Sequence, residues 1–401
     1  MQHFISKSPW SARVLLDRIR EEMMNRGDLA DEVMLLLDES ADEKAGYYSV
    51  GVNRQYNGRQ GKVDNCQVGV FLSIAKGNFS CWLDGEVFLP EKWFSEEYAE
   101  HRQRSGIPEE RVFQTKLELG LEMIRRAKAN AVVFEAVACD TFYGRSAEFR
   151  DQLDGDDIEY YADVPNNTHV YLEQPTIGVP QNKRGRKAVK QRVLSPKAIR
   201  IDQLRQHSAT IWQPIELRTS EQGILTADFA VLSVWTVRDD LSSHPETLII
   251  RRDGKRCTYT LSNAAETTPL KTLARRKSQR FWIEHDNRHA KSQYGWDEFQ
   301  TTGLLAWQHQ LALTILAAWF IAEIKLDWAI EHQRDLTLLD EYEIDVLPAL
   351  SVANVREMLR AAMPLPQLTT RQATELVMEH LDNRTRSRKS RFKSHTTDLG
   401  P

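Results

Sequence analysis

Apolar residues at Trp10, Val14, Leu15, Ile19 and Met23 recur mostly every three or four positions, so the chain is expected to open with a helix capped by Ser8, with Pro9 in its first turn. The run VMLLLDES at 33–40 is too short for a helix and has the pattern of a buried central strand ending in carboxylates. Two further strand-like stretches, 47–56 and 67–74, flank the glycine-rich turn NGRQGK, and 80–89 extends the same antiparallel meander. Thr115 is placed to cap a helix with apolar Leu117, Leu121 and Ile124 and a basic end at Arg125, Arg126 and Lys128, as the helix dipole prefers. A strand AVVFEAVAC at 131–139 follows, then a helix near 145–153 and a strand near 158–164.

Three strands, helix, strand, helix, strand is the order of a ribonuclease-H-like core, although other α/β folds share parts of it. From about 166 to 266 the pattern changes to short alternating strands (IWQPIELRT, FAVLSVWTV, TLIIRR, KRCTYTLS), which predicts a β-rich insertion. Helical periodicity returns at 269–293 and 304–325, and the chain to about 381 is mostly helical. Trp307, His309, Leu311, Ile315 and Trp319 form a stripe expected of a core helix. The expected fold class is α/β: a ribonuclease-H-like mixed sheet with a β-rich insertion and a helical C-terminal region. Its expected divisions are 1–30, an N-terminal helix; 31–165, the first part of the core; 166–268, the insertion; 269–330, the rest of the core; 331–383, a helical region; and 384–401, a basic tail.

Composition narrows the class. Of 401 residues, 27% are charged and 41% hydrophobic, which excludes disorder throughout. The longest uncharged apolar run, 311–322, falls short of the roughly twenty residues that span a bilayer, and no signal-peptide pattern opens the chain. A cytoplasmic location is expected. The four cysteines, Cys66, Cys81, Cys139 and Cys257, lack metal or redox spacing and are expected to be reduced thiols. A net charge of −4 hides clustering: residues 181–200 carry eight Lys/Arg without an acid, and 384–393 carry six. Local basicity of this kind points to a polyanionic partner. Lys183, Arg184, Arg186 and Lys187 are candidate phosphate contacts, with Gly185 allowing close backbone approach.

Candidate chemistry centres on carboxylates. Asp38 ends the first predicted strand and Asp140 follows the strand at 131–139, positions that a ribonuclease-H-like sheet brings side by side. Paired carboxylates there suit a divalent cation such as magnesium, which takes oxygen ligands. Two such ions about 4 Å apart can activate an attacking oxygen and stabilise the leaving one in phosphodiester cleavage. On the predicted helix RFWIEHDNRHAK, Arg280, Glu284 and Lys291 fall within about 40° of one another at roughly 100° per residue. That face suits a carboxylate on metal flanked by cations on phosphates. The plainer alternatives are strand-end caps for the aspartates and a solvated, salt-bridged helix surface for the trio. Glu298, in the loop-like GWDEF, is a rival to Glu284 without cations in phase.

The stretches LLLDES, SVGVNRQYNGRQGKVDNCQVGV, VACDTFYGRSAEFRDQL and RFWIEHDNRHAKSQYGWDEF together resemble the DDE transposases of bacterial insertion sequences, in the branch with a β-strand insertion before the final glutamate. The resemblance covers about 4–328. It implies Asp38, Asp140 and Glu284 as catalytic, metal-binding residues holding two Mg2+ ions, with Mn2+ able to substitute. Arg280 and Lys291 match its R-x3-E-x6-K signature as DNA contacts, and Trp235 or Trp212 is a candidate to stack a flipped base. The signature's tyrosine falls on Lys277. Implied partners are DNA at transposon ends and target, with a dimer in the DNA complex, no membrane, no small-molecule cofactor, and association with a bacterial nucleoid. Relatives carry a further N-terminal helical segment, so residues 1–30 are expected to be the remnant of a longer region. The implied function is DNA cleavage and strand transfer; the alternatives are a structure-selective nuclease on the same fold and a DNA-binding remnant that regulates a related element.

Overall fold

The computed structural model describes residues 2–58, 60–180, 188–220, 223–298, 302–332, 336–341, 350–363 and 368–397. The run of leucines forms a strand buried between two cores. β1 (Met34–Glu43) buries Leu35 and Leu37 in one core and Met34 and Leu36 in another, the period-two alternation of a strand covered on both faces. It runs three residues further than the apolar pattern because the long β3 (Lys62–Lys76) pairs with it from Met34–Ala75 through Glu43–Cys66.

β2 (Asn53–Asn57) and β4 (Phe79–Val87) both lie antiparallel to β3. On the other side of β1, β5 (Ala136–Cys139) and then β6 (Tyr160–Val164) run parallel to it. β5 is shorter than the stretch 131–139, because Ala131 takes a positive φ of 57° just after the preceding helix. That helix, α2 (Lys116–Ala129), has the capping box of Thr115 and Glu118. α1 (Ala12–Met24) is capped by Ser11 rather than Ser8; the Ser8 N–H instead closes the short helix Gln2–Ser6 onto the His3 carbonyl. α3 (Ala147–Gly155) joins β5 to β6.

The region from 213 to 262 forms an antiparallel meander of β7 (Gln213–Ser220), β8 (Gly223–Val237), β9 (Ser243–Asp253) and β10 (Arg256–Ser262). It continues the central sheet, because β10 pairs with β6, and the strand order across all ten strands is β7-β8-β9-β10-β6-β5-β1-β3-β2, with β4 also on β3. An open β6 edge would leave a row of unpaired backbone groups, which β10 satisfies. A buried ion pair fastens the meander to α3: Arg150 Nε lies 2.8 Å from Glu246 Oε1, and the Tyr160 hydroxyl donates to the same oxygen at 2.6 Å.

α4 (Leu270–Gln279) and α5 (Phe281–Gln293) meet at Arg280 instead of forming the single helix suggested for 269–293. α6 (Leu304–His332) buries Trp307, His309, Leu311, Ile315 and Trp319 against β4 and α1, and both His309 ring nitrogens lie beside carbonyls, of Ile5 at 2.6 Å and Trp10 at 2.8 Å. Residues 349–401 form a separate unit with α7 (Val352–Ala362), capped by Ser351, and α8 (Thr370–Thr397), which contains the basic run 384–393. The sheet, its helical layers and the helical C-terminal unit make the fold a ribonuclease-H-like α/β architecture. Among the described residues no helix is long and apolar enough to cross a membrane.

Candidate active site

Register places three aspartates in one row. Leu37 pairs with Cys139 and Cys139 with Ala162 across β1, β5 and β6, so the next residues along the parallel strands are Asp38, Asp140 and Asp163. Together with Glu39 and Glu284 they line a cleft of about 1150 Å3. Asp38, Asp140, Glu284, Arg280 and Lys291 are therefore all brought to one wall system, as the sequence pattern expects. Glu298 does not line the cleft; its neighbour Asp297 does.

The two aspartates are held in ways that leave oxygens available. Asp38 Oδ1 accepts from the Glu39 N–H at 2.8 Å. Asp140 caps the short helical turn Thr141–Gly144, its Oδ1 accepting from the Phe142 N–H at 2.9 Å. Neither Oδ2 accepts a hydrogen bond among the described residues. Desolvation, then the neighbouring Asp140 charge, pushes the Asp38 carboxyl up to about 8. Desolvation, then Glu39, raises Asp140. Two carboxylates that resist ionisation side by side, with free oxygens, fit a hard divalent cation, whose charge would remove the penalty.

The third carboxylate is engaged elsewhere in this state. Glu284, half-exposed, accepts from Arg280 Nη2 at 2.9 Å, while Arg280 Nε reaches Asp163 Oδ2 at 3.1 Å. Among the described residues no three acidic, histidine or cysteine side chains already stand together as a ligand set. Lys291 forms an ion pair with Asp42 Oδ1 at 2.8 Å and donates to the Ala41 carbonyl at 2.6 Å, which ties α5 to the end of β1. Lys277, at the position where the resemblance expects a tyrosine, is buried and paired with Asp163 at 2.7 Å, so its ammonium faces the sheet.

Sequence reasoning missed several residues of this cleft. Arg145, Arg256 and Arg288 line it, are exposed, and make no ion pair with a carboxylate among the described residues. Arg288 could have been found one helical turn beyond Glu284, at i+4. Asp163 could have been found only from strand register. Trp235 is not among the cleft residues; it is half-buried in β8, its backbone bridged to Tyr171. Trp212 packs under the Arg252 guanidinium at 4.1 Å. Lys183, Arg184, Arg186 and Lys187 lie outside the described residues.

Two predictions arise here. A Cβ on Gly144 would stand 2.0 Å from the Asp163 carbonyl oxygen, a backbone atom that cannot yield cheaply. Gly144→Ala is expected to cost about 2–4 kcal/mol, read as a shift in the urea midpoint, because the turn after Asp140 must move off β6. The second concerns pH. Asp38 has a folded pKa of about 8 against about 3.9 unfolded, so its favourable contribution is complete below the unfolded value and is lost as pH rises through 8. Asp38→Asn should therefore stabilise the metal-free protein increasingly from pH 6 to 9, by on the order of 2–5 kcal/mol at the top. A difference in thermal midpoint that is independent of pH would contradict the desolvated carboxylate.

Comparison with known proteins gives the family. Residues 1–224 match the family described as DDE superfamily endonuclease, which includes Asp38 and Asp140 and ends before Glu284. The match covers more than half of the chain, and the chain belongs to that family. It is also 24% identical over 312 residues, 75% of this chain and 68% of the relative, to a protein named probable transposase for insertion sequence element IS701 from Microchaete diplosiphon.

Proposed function

We propose that this protein is a DNA transposase that cuts phosphodiesters at the ends of an insertion sequence and joins the freed 3′ ends to target DNA. The observation that carries the reading is the convergence of Asp38 and Asp140 from neighbouring strands and Glu284 from α5 on one cleft. Asp38 and Asp140 would hold magnesium through their free oxygens, with Glu284 completing the set on leaving Arg280. The bound ions would supply charge for the attacking and leaving oxygens of an in-line displacement. Asp38 must be ionised for this, so Mn2+ affinity measured by calorimetry is expected to rise roughly tenfold per pH unit between pH 6 and 8.

The chain's own residues place the DNA. Arg145, Arg256 and Arg288, which pair with no carboxylate among the described residues, are the first candidates to grip phosphates in the cleft. Replacing all three by alanine is expected to lower the salt slope of DNA binding by roughly 2–3 units. An unchanged slope would make them solvated cations. Lys183, Arg184, Arg186 and Lys187 and the run 384–393 are proposed as further phosphate contacts, and two copies of the chain are proposed to share a pair of ends.

Incubating the protein with labelled end DNA, a target plasmid and Mg2+ tests the reading. Labelled plasmid is the expected product. Cleaved but unjoined ends would favour a structure-selective nuclease, and binding without cleavage a DNA-binding regulator.

A further inference from the structure

Arg280 is held between two carboxylates of different character. Asp163 sits in the middle of the sheet, its backbone paired with Thr260 on β10 and its carbonyl against Gly144. Its Oδ1 takes Lys277 at 2.7 Å, and its Oδ2 is left for Arg280 Nε at 3.1 Å. Those side chains are 15% exposed for Asp163 and 5% for Lys277, whereas Glu284, the other partner of Arg280, is 48% exposed on a helix face. A planar guanidinium can keep an ion-paired Nε side while its Nη edge changes hydrogen-bond partner. The buried carboxylate is fixed by two cations and a strand; the exposed one is free to leave.

We propose that Asp163 is a positioning residue that anchors Arg280 through Nε, so that Arg280 stays at the acidic cleft when Glu284 turns away and then offers Nη2 to a DNA phosphate. This rests on the reading that Asp38, Asp140 and Glu284 hold a divalent cation, which is what draws Glu284 off. Lys277 belongs to the device: it satisfies the second oxygen of Asp163 and keeps that carboxylate ionised inside the protein. Partners that orient a working side chain in this way typically affect affinity or activity by 10–100-fold when removed.

The test needs no cation and no turnover. Glu284→Gln mimics the departure of the glutamate, and a fluorescein-labelled duplex of random sequence serves as the probe. Glu284→Gln in the full chain should bind this duplex about tenfold tighter than wild type, as a freed charge-assisted contact would give. Adding Arg280→Ala should remove most of the gain. So should Asp163→Asn/Lys277→Met, which removes both buried charges together and avoids stranding the Lys277 ammonium. Thermal unfolding confirms that each variant is folded. A merely structural Asp163 would lower binding in both Glu284 backgrounds alike, and the gain would persist; that result, or a gain that survives Arg280→Ala, or no gain at all, overturns the proposal. Mn2+ binding to wild type and to Asp140→Asn addresses the underlying reading separately: equal binding by the two would defeat the metal site, whatever the duplex cycle shows.

Discussion

Replacing Asp140 with asparagine is expected to reduce DNA cleavage by about a thousandfold or more while DNA affinity stays within a few-fold. The amide keeps the cap on the turn that follows β5, since its carbonyl oxygen can still accept from the Phe142 N–H at the distance of 2.9 Å seen for Oδ1. It loses the negative charge, which is what a divalent cation requires of this position. The fold should be no less stable, because burial already works against the ionised form. Measuring cleavage, duplex affinity and thermal midpoint on one preparation separates the roles. Cleavage at the wild-type rate would remove Asp140 from the chemistry.

Glu246→Ala is expected to destabilise the protein by about 3–5 kcal/mol, the usual consequence of breaking a buried ion pair from one side. Glu246 is buried and holds Arg150 and the Tyr160 hydroxyl at 2.8 and 2.6 Å, so its loss strands a guanidinium between α3 and β9. Urea unfolding reads the loss directly. Substituting Arg150→Met as well should recover part of it, since no buried charge then remains unpaired. A single variant within 1 kcal/mol of wild type, roughly the worth of an exposed pair, would mean that the site admits water.

Local signals in the sequence identified the elements that carry the candidate residues. The short apolar run in VMLLLDES put Asp38 on a buried strand, Thr115 as a cap started α2, and the four alternating stretches after residue 210 became β7 to β10. Helical spacing brought Arg280 and Glu284 together, as their 2.9 Å contact shows. What remained hidden depends on pairing between distant segments. The attachment of β10 to β6 makes the insertion part of the central sheet, and no local pattern records it. The same pairing buries Asp163 beside Thr260, turning what looks like an ordinary polar strand residue into the seat of Arg280. Lys277 illustrates the limit for charge: nothing in the basic run of α4 marks it for burial, yet it is buried and paired with Asp163. The register sets Asp38 and Asp140 on neighbouring strands, and the present partner of Glu284 could be seen only with side chains in place.

The most direct test of the account is anomalous diffraction from crystals of the protein soaked in Mn2+ at pH 8, where Asp38 can ionise. The account predicts anomalous density between Asp38 and Asp140, with Glu284 swung from Arg280 onto the ion and Arg280 still on Asp163. Manganese bound elsewhere, or no density at the two aspartates with Glu284 still on Arg280, would contradict it.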